Sequence, residues 1–429
     1  MLGVDTIKMC DGKLVCNPQG TCVECLTATD CSSPDAPYCS NSTCVAACAS
    51  DQDCVGVAGK PFCAPTGACV ECVRDAQCSA NAPVCDATSL ACRGCVTDDE
   101  CGSAVCDVDT GECIAADSVL YARPSGTDVD DCSQSNPCSL AKALAQASAL
   151  RSVIRMLPGV YSSSVSLTSA NPDISIIGSG ATLAGDGTSG PALSVGGSAR
   201  IAVRALTVDV TGGTQVEALS CSPAPGITRV TLQLRDTTVL GGQLLSSDCD
   251  LTMIHGVVHS RVVTAQSGTV TIDRSLVSAG LLVGQTTSGP VSVTNSILGG
   301  VTFLQISPIP VTMTFDTFFL AGAGATLPCS ISGVLFEDDI VLAPNSTNAV
   351  TGTACQFANN LAFPQATNVG TGTIRMDPLL VNPANGDFHL QAFSPAIDAA
   401  DSTPDNLDFD GTPRPQGTHA DLGAFEFHP

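Results

Sequence analysis

"IDRSLV" (272–277), "VTNSIL" (293–298), "FDTFFL" (315–320), "FEDDIVL" (336–342) and "FANNLA" (357–362) begin 21 to 22 residues apart. Each reads apolar, polar, Asn/Asp-like, small or polar, then apolar. Earlier runs of the same form start at Val203 ("VRALTV"), Leu234 ("LRDTTV") and Met253 ("MIHGVV"). Period-two alternation makes such runs half-buried strands. An even period near 22 without amphipathic helices predicts an all-β parallel solenoid of about three short strands per coil. Apolar residues then stack on their counterparts one coil away, at the ~4.8 Å interstrand spacing. The polar third position (Asp236, Arg274, Asn295, Asp338, Asn359) falls in a turn. A β-sandwich is the competing reading, but the hairpin turns it needs are missing from the sequence.

The solenoid occupies the second part of the chain, and the first part has different physics. The protein has 429 residues and 25 cysteines, 19 of them between Cys10 and Cys113. Four sets begin at Cys25, Cys48, Cys72 and Cys95, a period of 23 to 24, and the first gap in each holds five residues. This predicts a tandem array over residues 1–116, with the solenoid at 117–429 and its C-terminal cap from about 376. Apolar residues between these cysteines are too few to build a core, so disulfides would replace one, each contributing about 2–4 kcal/mol. Zinc is the weaker reading. Cys-x-x-Cys occurs only where sets meet, and no histidine precedes His255. Each set is expected to close internally, with the pairing inside a set left open. The incomplete first set (Cys10, Cys16, Cys22) implies either an array that continues upstream or one free thiol. In the solenoid, Cys132–Cys138, Cys221–Cys249 and Cys329–Cys355 are the expected bridges, the last two between stacked positions on adjacent coils.

This cysteine usage points to an exported protein, extracellular or at the cell surface. "MLGVDTIKMC" contains no leader, so a signal peptide would have been removed, and no apolar run is long enough to cross a bilayer. Formal charge is −24, with only four lysines, which argues against nucleic acid or anionic lipid as a partner and makes calcium the natural counter-charge. "PCSLAKALAQASAL" (137–150) is the one clear amphipathic helix, suited to covering the open N-terminal end of the solenoid.

"YARPSGTD" (121–128), "PCSLAKAL" and "IRMLPGVY" (154–161) together resemble the entry segment of right-handed parallel β-helix proteins of the pectate-lyase-like superfamily. "NPANGDFHLQAFSPAIDAADSTPDNLDFDGTPRPQGTHADLGAFEF" (382–427) resembles the C-terminal segment of bacterial "choice-of-anchor Q" β-helix proteins, with Ala400 where that family usually has Gly. No sorting signal follows, so attachment is expected to be N-terminal. The cysteine sets resemble tandem modules of secreted bacterial surface proteins, which implies a stalk. The resemblance implies a right-handed helix but not its chemistry, because the fold hosts both enzymes and adhesins.

The lyase and polygalacturonase arrangements of Arg, Asp and His that the superfamily uses are not found in this sequence. One acidic constellation remains. If the second residue of each run points outward, Asp273, Thr294, Asp316 and Glu337 form a column. Asp273 and Asp316 would then lie about 9–10 Å apart, near the upper end of an inverting glycosidase pair. Arg274 is the adjacent base. Asp316 with Glu337, or Asp408 with Asp410 in "DFDG", are the calcium candidates, with Asp398 and Asp421 expected to shape the cap through backbone hydrogen bonds. His255 and His259 read as incidental. Without Trp and with three Tyr, tight sugar stacking is not expected. The favoured expectation is a structural or adhesive surface protein whose polar β-helix face contacts glycan or another surface protein. The alternative is a polysaccharide-degrading lyase or glycoside hydrolase using the acidic face. The sequence is silent on oligomeric state.

Overall fold

The computed structural model describes residues 10–428 except 11–13, 168–172, 186–189, 198–199, 212–216, 224–228, 248, 266–267, 285–288, 305–309, 365–368, 371 and 402–406. The chain divides into two compact units between Ala116 and Asp117.

In the first unit each cysteine set makes a short 3-10 turn followed by a small antiparallel hairpin, as in Tyr38–Ser40 paired with Thr43–Val45 and Phe62–Cys63 paired with Cys69–Val70. The residue before the second cysteine of each set is Asp30, Asp53, Gln77 or Glu100. Its side chain reaches back to accept two backbone N–H groups at the turn's start, for example Asp53 from Ala49 (2.8 Å) and Ser50 (3.0 Å). The turn therefore closes itself as half of a capping box does. In every complete set the first cysteine bonds the third and the second bonds the fourth, from Cys25–Cys39 and Cys31–Cys44 to Cys95–Cys106 and Cys101–Cys113.

The second unit is a right-handed parallel β-helix. First strands run from Val230–Arg235 through Cys249–Ile254, Val270–Asp273, Val291–Thr294, Val311–Thr314 and Val334–Glu337 to Gln356–Ala358, paired in parallel register. Second strands follow one turn later, from Thr238–Leu240 to Leu361–Phe363. Third strands form their own seven-stranded sheet from Val165–Leu167 to Val301–Phe303. Inward residues stack one on the next. Ile272, Val293, Met313 and Phe336 share a column, and Phe336 stacks on Phe357 at 5.0 Å.

The turn between first and second strands explains the recurring Asn and Asp. Its residue is left-handed in every coil: Ala205, Asp236, His255, Arg274, Asn295, Phe315, Asp338 and Asn359, with φ between 46° and 58°. Asn and Asp adopt this conformation more readily than most other non-glycine residues.

At the N-terminal end, helix Leu140–Gln146 buries Leu140 and Ala143, and Ser139 caps it by accepting from the Lys142 N–H (3.1 Å). The free edge of Val119–Ala122 is filled by the entry loop, where the Tyr121 N–H donates to the Cys132 carbonyl and the Cys138 N–H to Tyr121. The C-terminal segment packs against the second strands. It lies along the flank, where Leu380, Phe388, Leu422 and Phe425 bury the outer side of Ile297, Ile340 and Leu361. That is why the second strands are apolar on both faces. No helix among the described residues is long and apolar enough to cross a membrane.

Candidate functional site

The register corrects the acidic column. Met313, not Phe315, stacks between Val293 and Phe336, so the run containing Asp316 begins two residues earlier than its spelling suggests. The outward column is Asp273, Thr294, Thr314, Glu337. Asp273 and Glu337 are three coils apart, about 14 Å at the interstrand spacing. That exceeds the roughly 6.5–9.5 Å of an inverting pair. Arg274 turns beside Asp273, its Nε 2.8 Å from the carboxylate.

Asp316 points inward, into a second column that begins at Ser275 and continues through Ser296, Asp316, Asp339 and Asn360. Each side chain accepts the backbone N–H of its counterpart in the preceding coil: Ser275 N–H to Ser296 Oγ (3.1 Å), Ser296 to Asp316 Oδ1 (2.8 Å), Asp316 to Asp339 Oδ1 (2.7 Å) and Asp339 to Asn360 Oδ1 (2.7 Å). The column also needs donors. Ser275 and Ser296 hydroxyls donate to the Asp273 and Thr294 carbonyls (both 2.8 Å), and Asn360 Nδ2 donates to Phe336 (2.9 Å). Asp316 and Asp339 are wholly buried, and among the described residues the Oδ2 of each has no hydrogen-bond partner. Burial pushes the Asp316 carboxyl well above the ordinary range, and nearby Asp273 adds to this. Burial does the same at Asp339, with Asp316 and then Asp338 adding to it. A protonated acid supplies the donor that Ser and Asn supply elsewhere in the column. A calcium ion would need six or more oxygens, and the column offers only two free carboxylate oxygens. Asp316 and Glu337 lie on opposite sides of the chain and cannot share an ion.

The Asp408–Asp410 stretch is a backbone clasp. Asp408 Oδ1 accepts the N–H of Asp410 (3.0 Å) and Thr412 (2.6 Å), and Oδ2 accepts that of Glu426 (2.9 Å). Asp410 turns instead to His389 Nε2 (2.7 Å), whose Nδ1 meets Asp387 (2.7 Å). Asp421 accepts the Asp398 (2.7 Å) and Phe427 (2.6 Å) N–H groups, and burial pushes its carboxyl up to about 6. Asp398 accepts from His419 (2.9 Å).

Arg414 is the residue that sequence reasoning missed. It is buried, donates to the carbonyls of Asp421 (2.9 Å) and Gly423 (2.7 Å), lies 3.7 Å from Glu426, and rests over the Phe315 ring at 4.9 Å. "TPRPQG" gave a weak signal: an arginine between two prolines where no exposed strand or helix was expected. His255 takes the left-handed slot with Nδ1 3.3 Å from Asp236. His259 forms no cluster with it.

In the β-helix, Cys132 bonds Cys138, Cys221 bonds Cys249 and Cys329 bonds Cys355. The register partner of Cys221 is Ser246 and that of Cys249 is Val230, so this bridge closes a corner rather than joining stacked equivalents. In each complete cysteine set three sulfurs lie within 4.8 Å of one another. Such a trio could hold a soft metal if its disulfides were reduced, and nothing in it indicates calcium. Cys16 is the one free cysteine, and it is exposed.

Residues 14–119 match a family described as "Family of unknown function (DUF8331)". The match does not reach the C-terminal segment. No curated protein matches the chain. A crystal structure of pectate lyase Pel9A is similar over 73% of this chain and 100% of that chain, at 14% identity and a TM-score of 0.38. The chain is an all-β right-handed parallel β-helix with a preceding disulfide-rich repeat unit, an architecture compatible with either an enzymatic or an adhesive role.

Proposed function

We propose that the β-helix holds polysaccharide against the outer face of its first strands, as an exported structural or adhesive module, with the cysteine array as its stalk. The supporting observation is a hydroxyl lattice set by the register. Thr252, Thr271, Ser292 and Thr312 stack in one rank, and Thr294 and Thr314 stack in the next. Ranks repeat every ~4.8 Å along the axis and lie about 6.6 Å apart along a strand. A flat face of this kind makes weak contacts that add up along an extended polymer. The test is co-sedimentation with a panel of neutral and acidic polysaccharides, with and without calcium. Binding is expected to fall at least tenfold in Thr271→Arg/Thr312→Arg. Unchanged binding in that variant, or no binding to any polymer, rejects the reading.

The second reading, degradation of the polymer, rests on Arg274 beside Asp273 at the edge of the same face. A guanidinium is suited to a substrate carboxylate and unsuited to act as a base. Release of reducing ends or unsaturated uronates that disappears in Arg274→Ala would promote the enzyme.

A further inference from the structure

The cysteine-rich unit contains a cleft that the β-helix reading leaves unused. The set starting at Cys48 has the longest second gap: eight residues between Cys54 and Cys63, against seven, six and four in the sets starting at Cys25, Cys72 and Cys95. The extra length folds back on the preceding set. The Ala28 N–H donates to the Val55 carbonyl (2.9 Å), and Gly56, at φ 92°, passes so close that a Cβ would lie 3.0 Å from Thr27. Only glycine fits this crossing.

The fold-back and the preceding set line an open cleft of about 330 Å³, at the small end of the range for ligand sites. It is lined by Ala28, Cys31, Pro37, Tyr38, Val57 and Lys60. Tyr38 is fixed in place because its hydroxyl accepts the Cys69 N–H (3.3 Å). It is half-buried, whereas Tyr121 and Tyr161 are buried in the other unit. Lys60 is exposed and, among the described residues, makes no ion pair, although the chain carries a net charge of −24. Thr29 adds a hydroxyl.

We infer that this cleft binds a small cyclic carboxylate, its ring face on Tyr38 and Pro37 and its anionic group on Lys60. A tyrosine ring and a proline that line the same small cleft as a lysine suit a ring bearing one negative charge. The volume admits a single sugar-sized or aryl ring. Two sources share this chemistry, a sugar acid and an aromatic acid. The site is independent of the polysaccharide face, and either can fail without the other.

The experiment is ligand-observed saturation-transfer NMR on the full chain with galacturonate and with benzoate. The uncharged methyl ester of galacturonate and glucose serve as controls. A saturable signal is expected from at least one acid, and which acid gives it identifies the source. Lys60→Glu should weaken binding at least tenfold, and Lys60→Arg should retain it within about threefold. Equal binding of the uncharged ester, unchanged binding in Lys60→Glu, or no saturable signal from either acid overturns the inference.

Discussion

Replacing Asp339 by Asn should stabilise the β-helix at neutral pH, and the gain should vanish in acid. In the folded protein Asp339 Oδ1 accepts the Asp316 N–H while Oδ2 is buried and, among the described residues, without a hydrogen-bond partner. One coil further on, Asn360 fills the same slot with both roles satisfied, its Nδ2 reaching the Phe336 carbonyl (2.9 Å). The register places the Met313 carbonyl in the equivalent position for residue 339. Supplying the missing donor relieves one buried unsatisfied group, about 1–3 kcal/mol. The acid's own proton supplies it only at a cost that grows with pH, about 1.4 kcal/mol per unit above the unfolded pKa until the folded-state value is reached. The sign follows from the raised folded-state value. The stability contribution of the acid is complete below the unfolded pKa of about 3.9 and is lost as pH rises through the folded value. The advantage of Asp339→Asn should therefore be small at pH 4 and exceed about 1–3 kcal/mol at pH 8. Asp316→Asn should behave alike, with the Val293 carbonyl as its acceptor by register. The double variant should gain less than the sum, because the Asp316 carboxyl helps to raise that of Asp339. Urea unfolding of the oxidised protein at several pH values measures this. A pH-independent difference, or a loss of stability in Asp339→Asn at pH 7, refutes the proton assignment.

Thiol labelling of the folded, oxidised chain should mark Cys16 and leave Cys132, Cys138, Cys221, Cys249, Cys329 and Cys355 unmodified; label on any of these six contradicts the bridges. Arg414→Ala should destabilise by about 3–5 kcal/mol, because it strands the buried Glu426 carboxylate, and should make residues 408–427 the first site of limited proteolysis; an unchanged digestion pattern argues against it. At His389 burial favours the neutral ring, but Asp387 and Asp410 outweigh it and the pKa is raised, so the clamp's contribution is complete below the unfolded value of about 6.5 and is lost as pH rises through the folded one. Hydrogen-exchange protection factors in Asp387–Leu390, with the intrinsic pH dependence divided out, should fall above neutral pH in the natural protein and stay constant with pH in His389→Gln.

The coil period was legible because core packing, strand alternation and the left-handed turn all repeat with it, so Ile272, Val293, Phe336 and Phe357 are found by spacing alone. The frame failed at one coil, for a non-local reason. The left-handed slot normally announces itself as Asn or Asp, and here it holds Phe315, pinned under Arg414 from far along the chain. "FD" at 315–316 then imitates "ID" at 272–273 and "FE" at 336–337, and a two-residue slip preserves the inward and outward alternation. Nothing within the segment distinguishes the frames. The slip moved Asp316 from a buried ladder to a solvent face and created an acid pair that the fold does not assemble. The "DFDG" stretch misled differently, since a carboxylate that receives backbone N–H groups and one that receives calcium share the same spelling. The hydroxyl ranks were invisible for a third reason. Thr and Ser at 252, 271, 292, 294, 312 and 314 are what any solvent-facing strand selects, and only register makes a lattice of them. A binding face made of ordinary strand residues carries no motif, so its test has to vary the spacing and bulk of the ranks rather than remove one unusual side chain.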